Sequence, residues 1–323
     1  MAEWNGGEFS GNADEDTGMT RLATIAIMLA TVTLPIAPNL GRAQSPSLSA
    51  PRLHASVAID SGDVFIYRYA VENGAASTAA IWRMTIDISL PVGTSRPSAF
   101  GLTHGPGYFV SELSAPGRTL TTGEAIAVGL SAPQPGWKTT VGADATARWV
   151  AVSDAAFISP KQRLAGFSLV SHGPPSLRRF TVAPYIDPQL APVDPPQPDA
   201  LEAERFEQEF DQYVESQSVT GLTLAPSALK TTTPDAVLAN LITQVAQART
   251  LRWISSEAMT RNVTDKLQAA RTAIARNQVD ASKKILGALR TEVAAVSDKG
   301  LTSEAVALVD VNVQYVLRLL AKR

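Results

Sequence analysis

Apolar positions change their spacing along this chain, and the changes divide it. From residue 53 the period is two. Phe65, Tyr67, Tyr69 and Val71 alternate with Ile66, Arg68, Ala70 and Glu72, and Glu72-Asn73-Gly74 closes the run as a turn. Trp82, Met84, Ile86 and Ile88 alternate against Arg83, Thr85 and Asp87. Further short strands are predicted over 125–130, 137–141, 147–152, 164–170 and 178–183. Pro135-Gly136, Ser159-Pro160 and Gly173-Pro174-Pro175 separate them. Residues 98–120, rich in Gly and Pro, read as a long loop or a small hairpin insertion. Roughly seven or eight short strands with this punctuation predict an antiparallel β-sandwich over 53–184.

From 185 to 232 neither period holds for long. Asp187-Pro188, Pro192, Asp194-Pro195-Pro196 and Pro198 favour extended chain, so the stretch reads as an acidic, Pro-rich linker. Within it, 201–214 fits a short amphipathic helix with Ala203, Phe206, Phe210 and Tyr213 on one face. Two phenyl rings need cover, so that helix is expected to dock on a domain. Residues 219–224 read as one further strand.

Beyond Thr233 the period becomes 3.6. Thr233 caps, Pro234 suits the first helical position and Asp235 meets the positive end of the helix dipole. The stripes are Val237, Leu238, Leu241, Ile242 and Val245; Met259, Val263, Leu267, Ala270 and Ile274; Ile285, Leu286, Leu289, Val293 and Val296; and Val309, Val313, Val316 and Leu320. Ser255 or Ser256 opens the second helix and Thr302 the fourth, with Leu301 and Val306 at staple positions. Asn277 and Gly300 are placed as C-terminal caps. Short links force antiparallel neighbours, so 233–323 is predicted to be an up-and-down helical bundle. The expected fold class is α+β in separate domains, an N-terminal antiparallel β-sandwich followed by an all-α bundle.

The stretches Leu251-Arg252-Trp253-Ile254 and Lys266-Leu267-Gln268-Ala269-Ala270 resemble the FIMAH domain, a helical module of membrane-associated hydrolases. So do Lys299-Gly300-Leu301-Thr302-Ser303-Glu304-Ala305 and Gln314-Tyr315-Val316-Leu317. The resemblance covers residues 234–322 and none of the first 230. It implies an accessory module of a secreted or surface protein, with no catalytic residues to carry over. Arg252 departs from the small residue expected before the Trp.

The beginning of the chain predicts a compartment. Residues 1–18 are acidic and Gly-rich and read as an upstream extension. Met19-Thr20-Arg21, the apolar run 22–36 and Gly41-Arg42-Ala43 have the three parts of a secretory signal, placed at 19–43 with cleavage after Ala43. The apolar run is shorter than the roughly 20 residues of a spanning helix. The mature chain is therefore expected to be secreted, periplasmic or at the cell surface, with no transmembrane segment.

Composition narrows the chemistry. The absence of cysteine excludes disulfides, thiolate metal sites and a Cys nucleophile. A net charge of −2 gives no global signal for nucleic acid. The acidic linker and the basic helical stretch are expected to attract each other. The three histidines, His54, His104 and His172, lie far apart, and no Gly-x-Ser-x-Gly elbow, Walker loop or dinucleotide loop occurs. No cofactor and no metal are expected. Asp60-Ser61-Gly62-Asp63 is the one turn with oxygen donors for calcium, and reads first as an Asp-rich hairpin.

What remains is recognition. Aromatics concentrate in the strand region, where Trp137 and Tyr108 are candidate sugar-binding rings. Trp253 and Arg252 are candidate contacts for a partner of the helical module. Arg249, Arg261, Arg271, Arg276, Lys283, Lys284 and Arg290 would extend these into a basic patch for acidic polysaccharide or phosphate. The sequence points to a non-catalytic binding protein for a polysaccharide or cell-envelope component, or for a protein through the helices. The alternatives are a hydrolase with its site in the strand loops and a structural spacer.

Overall fold

A computed structural model describes residues 46–60, 62–89, 129–141, 145–193, 200–227, 233–297 and 299–322. The upstream extension, the signal segment, the 98–120 loop, His104 and Tyr108 lie outside the described residues. In chain order the strands are β1 (Arg52–Ile59), β2 (Phe65–Glu72), β3 (Ile81–Asp87), β4 (Gly129–Ser131), β5 (Trp137–Val141), β6 (Thr146–Ala151), β7 (Arg163–Ser171), β8 (Pro175–Pro184) and β9 (Val219–Pro226). The helices are α1 (Ala200–Ser216), α2 (Pro234–Thr250), α3 (Glu257–Ala275), α4 (Val279–Ala295) and α5 (Ser303–Ala321).

The strands form two antiparallel sheets, ordered β1-β2-β7-β4 and β5-β6-β3-β8-β9. Alternation sends Tyr67, Tyr69 and Phe167 of the first sheet to the same buried layer as Met84, Ile86 and Trp149 of the second. Rings meet there edge to face: Tyr69 lies 6.1 Å from Trp149, and Trp137 lies 5.0 Å from Phe167. The buried polar tips find backbone partners across the layer. The Trp149 indole donates to the Ser131 carbonyl at 2.9 Å, and the Tyr69 hydroxyl donates to the Leu224 carbonyl at 3.0 Å. Burial holds both the Tyr67 and Tyr69 hydroxyls well above the ordinary tyrosine pKa, so both are neutral donors.

The helices follow the caps read from sequence. Thr233, Ser256 and Thr302 each accept from a backbone N–H three residues on. Asn277 takes the left-handed conformation (φ 59°), with its N–H on the Ile274 carbonyl and that of Gln278 on the Ala273 carbonyl. That is the paired bonding of a Schellman end. Arg252 closes α2 in the same way at φ 61°, a conformation that favours glycine. Gly300 is not the cap of α4, which ends at Ala295. Its role is close approach: the Gly300 carbonyl accepts from the Ser255 N–H at 2.8 Å, and a β-carbon on Gly300 would sit 3.2 Å from the Ser255 hydroxyl. The Thr302 N–H in turn donates to the Trp253 carbonyl. The two links that carry the family resemblance thus lie side by side.

The described residues fall in one compact unit, and a single apolar core runs from the sheets into α2–α5. This departs from two domains joined by a tether. The stretch expected as a linker supplies β9, paired with β8 from Val219 opposite Val182 to Pro226 opposite Pro175. It also supplies α1, which docks through Phe210, while Phe206 stacks on Phe210. Phe210, Tyr213 and Val214 pack with Ala183, Ile186 and Trp82 on the second sheet. Two acids of α1 pair with Arg83 of that sheet, Glu215 at 2.6 Å and Asp211 at 3.7 Å, while Glu202 and Glu209 pair with Arg205 of α1 itself.

The missed feature is the second face of α5. Val309, Val313, Val316 and Leu320 are buried as expected, but so are Leu308, Asn312 and Tyr315. Tyr315 meets Phe65 edge-on at 5.1 Å. Asn312 Nδ2 donates to the Pro175 carbonyl at 2.8 Å, and Gln244 of α2 accepts from the Leu177 N–H at 2.7 Å. Both backbone groups lie in β8 beyond Phe180, the last residue paired with β3 toward that end. Side-chain amides from the helices thus supply hydrogen bonds where the neighbouring strand has stopped. Among the described residues no helix is long and apolar enough to cross a membrane.

Candidate binding groove

The outer face of the first sheet can be built row by row from its register. Ser56, Arg68 and Ser168 stand opposite one another across β1, β2 and β7. The next row is His54, Ala70 and Ala165, and the one after is Arg52, Glu72 and Arg163. Long side chains in the outer rows and two alanines in the middle leave a trough. The ladder is irregular here: Tyr69 faces Phe167 but Ala70 faces Ala165, so Gly166 is an extra residue. It adopts φ 107°, and a β-carbon there would lie 3.2 Å from the Pro133 backbone. Glycine therefore answers both the conformation and the close approach.

The trough encloses about 490 Å³ and is walled by Arg68, Arg163, His54 and Ser303, with Ala70, Ala165 and Gly166 along its floor. Arg68 and Arg163 are exposed, and among the described residues neither has a carboxylate within ion-pair distance. His54 differs. Its Nε2 lies 3.5 Å from Glu72 and its Nδ1 lies 3.5 Å from Glu304, the latter carboxylate almost buried in the first turn of α5. A histidine acting as base to a serine needs one ring nitrogen turned to a hydroxyl. Here both nitrogens face carboxylates. The arrangement suits recognition of an anion by guanidinium groups, which bind carboxylates and sulfates in a two-pronged, charge-assisted way.

The residues singled out from sequence fall elsewhere. Trp137 is 6% exposed, its indole N–H donates to the Ala156 carbonyl at 2.9 Å, and its ring meets Phe167 at a T-shaped contact. A ring so placed offers nothing to a sugar, so that expectation is corrected. Trp253 is half-buried against the core, its backbone N–H closing α2 on the Ala248 carbonyl, and Arg252 is exposed at the same turn. Three of the eight cations of the basic patch are paired: Arg271 with Asp235, Arg290 with Asp310 and Arg261 with Glu257. The rest is split between opposite ends of α3, Arg249 and Arg252 near its start, Arg276, Lys283 and Lys284 near its finish. A helix of 19 residues separates them by roughly 27 Å at 1.5 Å per residue.

The Asp60–Asp63 turn is also occupied by the chain itself. Asp63 pairs with Lys322 and, at 3.5 Å, with Arg318, whose guanidinium also donates to the Asp60 carbonyl. Arg318 of α5 and Lys322 just past its end stand where calcium would bind. Among the described residues no cluster of three or more His, Asp or Glu is arranged to hold a metal.

The groove was not legible in the linear sequence because Ala70 and Ala165 become neighbours only through the register of β2 and β7. Gly166 is the one signal, a glycine interrupting a strand pattern, which marks a bulge. Comparison with known proteins finds no matching family model, no matching curated protein and no matching solved structure.

Proposed function

We propose that this is an exported, non-catalytic binding protein whose recognition surface is the Arg68–Arg163 groove and whose ligand is an anionic glycan of the cell envelope or its surroundings. In this reading 19–43 is a cleaved secretory signal, the two sheets are a β-sandwich and 233–322 is a FIMAH-like helical bundle serving as an accessory module. The observation that carries it is the pair of exposed arginines, without acid partners among the described residues, flanking a floor of Ala70, Ala165 and Gly166. The helical module has supporting features of its own. The Trp253 link and the Gly300-Leu301-Thr302 turn, which bear the resemblance, hydrogen-bond to each other.

Two measurements test the reading. N-terminal sequencing of the exported protein is expected to begin at Gln44, and a start near Ala2 refutes the signal. Binding of the purified protein to uronate-containing and sulfated polysaccharides is expected to be salt-sensitive. It should fall about tenfold or more in Arg68→Ala and Arg163→Ala, because a charge-assisted bond contributes about 1.5–3 kcal/mol. Equal binding of neutral and acidic polysaccharides, unaffected by either substitution, refutes the groove.

A further inference from the structure

Resting on that reading, we infer that the groove continues past Arg163 into a second recess, and that the two form one track for a linear anionic polysaccharide rather than a pocket for a single sugar. The second recess encloses about 310 Å³ and is lined by Gln134, Ala156, Phe157, Gln162, Leu164 and Arg163. Arg163 is common to both walls. Strand β7 runs beneath the join, with Arg163 and Leu164 in one recess and Ala165 to Ser168 in the other. Gly166 keeps the join low, since any side chain there would press on Pro133, the residue next to Gln134.

The second recess has the chemistry of a sugar subsite. Phe157 is half-buried and packs on Tyr185 with ring centroids 4.5 Å apart and planes tilted by 37°. Tyr185, which backs Phe157 from outside the lining, is 37% exposed. An aromatic face takes the C–H side of a sugar ring while amides take its hydroxyls. Gln162 accepts from the Ser159 N–H, and both it and Gln134 are exposed amides. In order along the track stand one guanidinium at Arg68, a small-residue floor, a second guanidinium at Arg163, then an aromatic wall with an amide. A polymer with an acidic group on successive units matches that order: one anion at each arginine, one ring at Phe157.

The test is a length series of oligogalacturonates, from galacturonic acid upward, titrated calorimetrically into the purified protein. Affinity is expected to climb with chain length and level off once both recesses are spanned. Arg163→Ala should weaken every length. Gln134→Ala and Phe157→Leu should weaken the long oligomers by several-fold and leave the shortest binders unchanged. Gln134 is exposed, so its removal does not threaten the fold, and Phe157→Leu keeps apolar bulk against Tyr185. Full affinity already at the monosaccharide, or Gln134→Ala and Phe157→Leu acting equally on all lengths, overturns the track while leaving the single groove standing. No binding of any acidic oligomer overturns the track and the groove together.

Discussion

Helix α1 and the pair α2 and α5 are both attached to the sheets, and they are attached by different physics. Helix α1 lies over Ala183, Ile186 and Trp82 and is pinned at its margin by Arg83, whose partners Glu215 and Asp211 keep 58% and 65% of their side-chain surface in solvent. The Trp82 indole N–H is buried and, among the described residues, has no hydrogen-bond partner. Helices α2 and α5 instead complete the second sheet's own hydrogen bonding, through Gln244 at Leu177 and Asn312 at Pro175. A cover can loosen and leave the sheet intact. A helix that supplies the backbone's missing partners cannot leave without orphaning them, since buried amide and carbonyl groups are costly when unpaired.

The largest expected effect tests that distinction directly. Asn312→Leu keeps the branched shape and heavy-atom count of the side chain and strips the Pro175 carbonyl of its donor. It is expected to lower stability by about 2–3 kcal/mol, the cost of a buried unsatisfied group plus the lost bond. Urea unfolding should report this as an earlier midpoint with an unchanged slope. A midpoint like that of the parent would mean that water replaces the amide and that α5 is a cover like α1. Because the core is shared, heating should also give one cooperative transition for sheets and α2–α5 together. Two separated transitions would restore the picture of independent domains.

Arg252→Gly sharpens the comparison from the other direction, by strengthening the α2–α3 turn that the α4–α5 link bonds to. Its left-handed φ of 61° strains a residue with a β-carbon, so glycine should stabilise by up to about 1 kcal/mol. The same change at Asn277 should yield less, because Asn tolerates that conformation better. Arg83→Ala, which unpins α1, is expected to cost less than Asn312→Leu in an unfolding titration, because Glu215 and Asp211 stay solvated when the 11%-exposed guanidinium is removed. A loss as large as that of Asn312→Leu would abolish the contrast.

The smallest effect is one of pH. The Arg271 hydrogen bond holds Asp235 below its ordinary pKa, and bonds from Lys266 and Asn262 hold Glu292 below its own. A carboxylate depressed in the folded state contributes stability above its unfolded pKa, near 4, and loses it as pH falls through the folded value. Asp235→Asn and Glu292→Gln should therefore each remove a small contribution near neutrality, change little in acid, and so flatten the acid limb of a stability–pH curve slightly. Both groups are solvated, so salt should shrink the effect further.

The helical caps were readable because a cap is a local event: Thr233, Ser256, Thr302 and Asn277 act on N–H and C=O groups within a few residues of themselves. Strand positions at 65–72 and 137–141 were equally plain from alternation. The association of helices with sheets was not, because one stripe per helix satisfies a bundle and α5 carries two. Leu308, Asn312 and Tyr315 form the second stripe at helical spacing, and a helix apolar on two sides belongs between layers. The polar residue in that stripe, Asn312, disguised it. Trp137 misled in the opposite way, since an indole beside a Pro-Gly turn has the look of a surface ring, and only the carbonyl of Ala156 shows where its N–H goes. The groove depends on which residues three strands place abreast, information that no single strand holds.

Helix α5 lies against β1 and reaches the β1–β2 turn through Arg318 and Lys322, more than 250 positions later in the chain. It also touches β9, so it shields the outermost strand on the same side of both sheets. During synthesis every strand it shelters emerges before it does. A nascent or clipped chain lacking α5 would present two open strand edges and an uncovered Phe65, the surface on which chains stitch to one another. Secretion in an unfolded, chaperone-held form would let the closing helix arrive together with the strands it protects, and proteolytic loss of that helix would mark the molecule for aggregation rather than for a quiet loss of one accessory part.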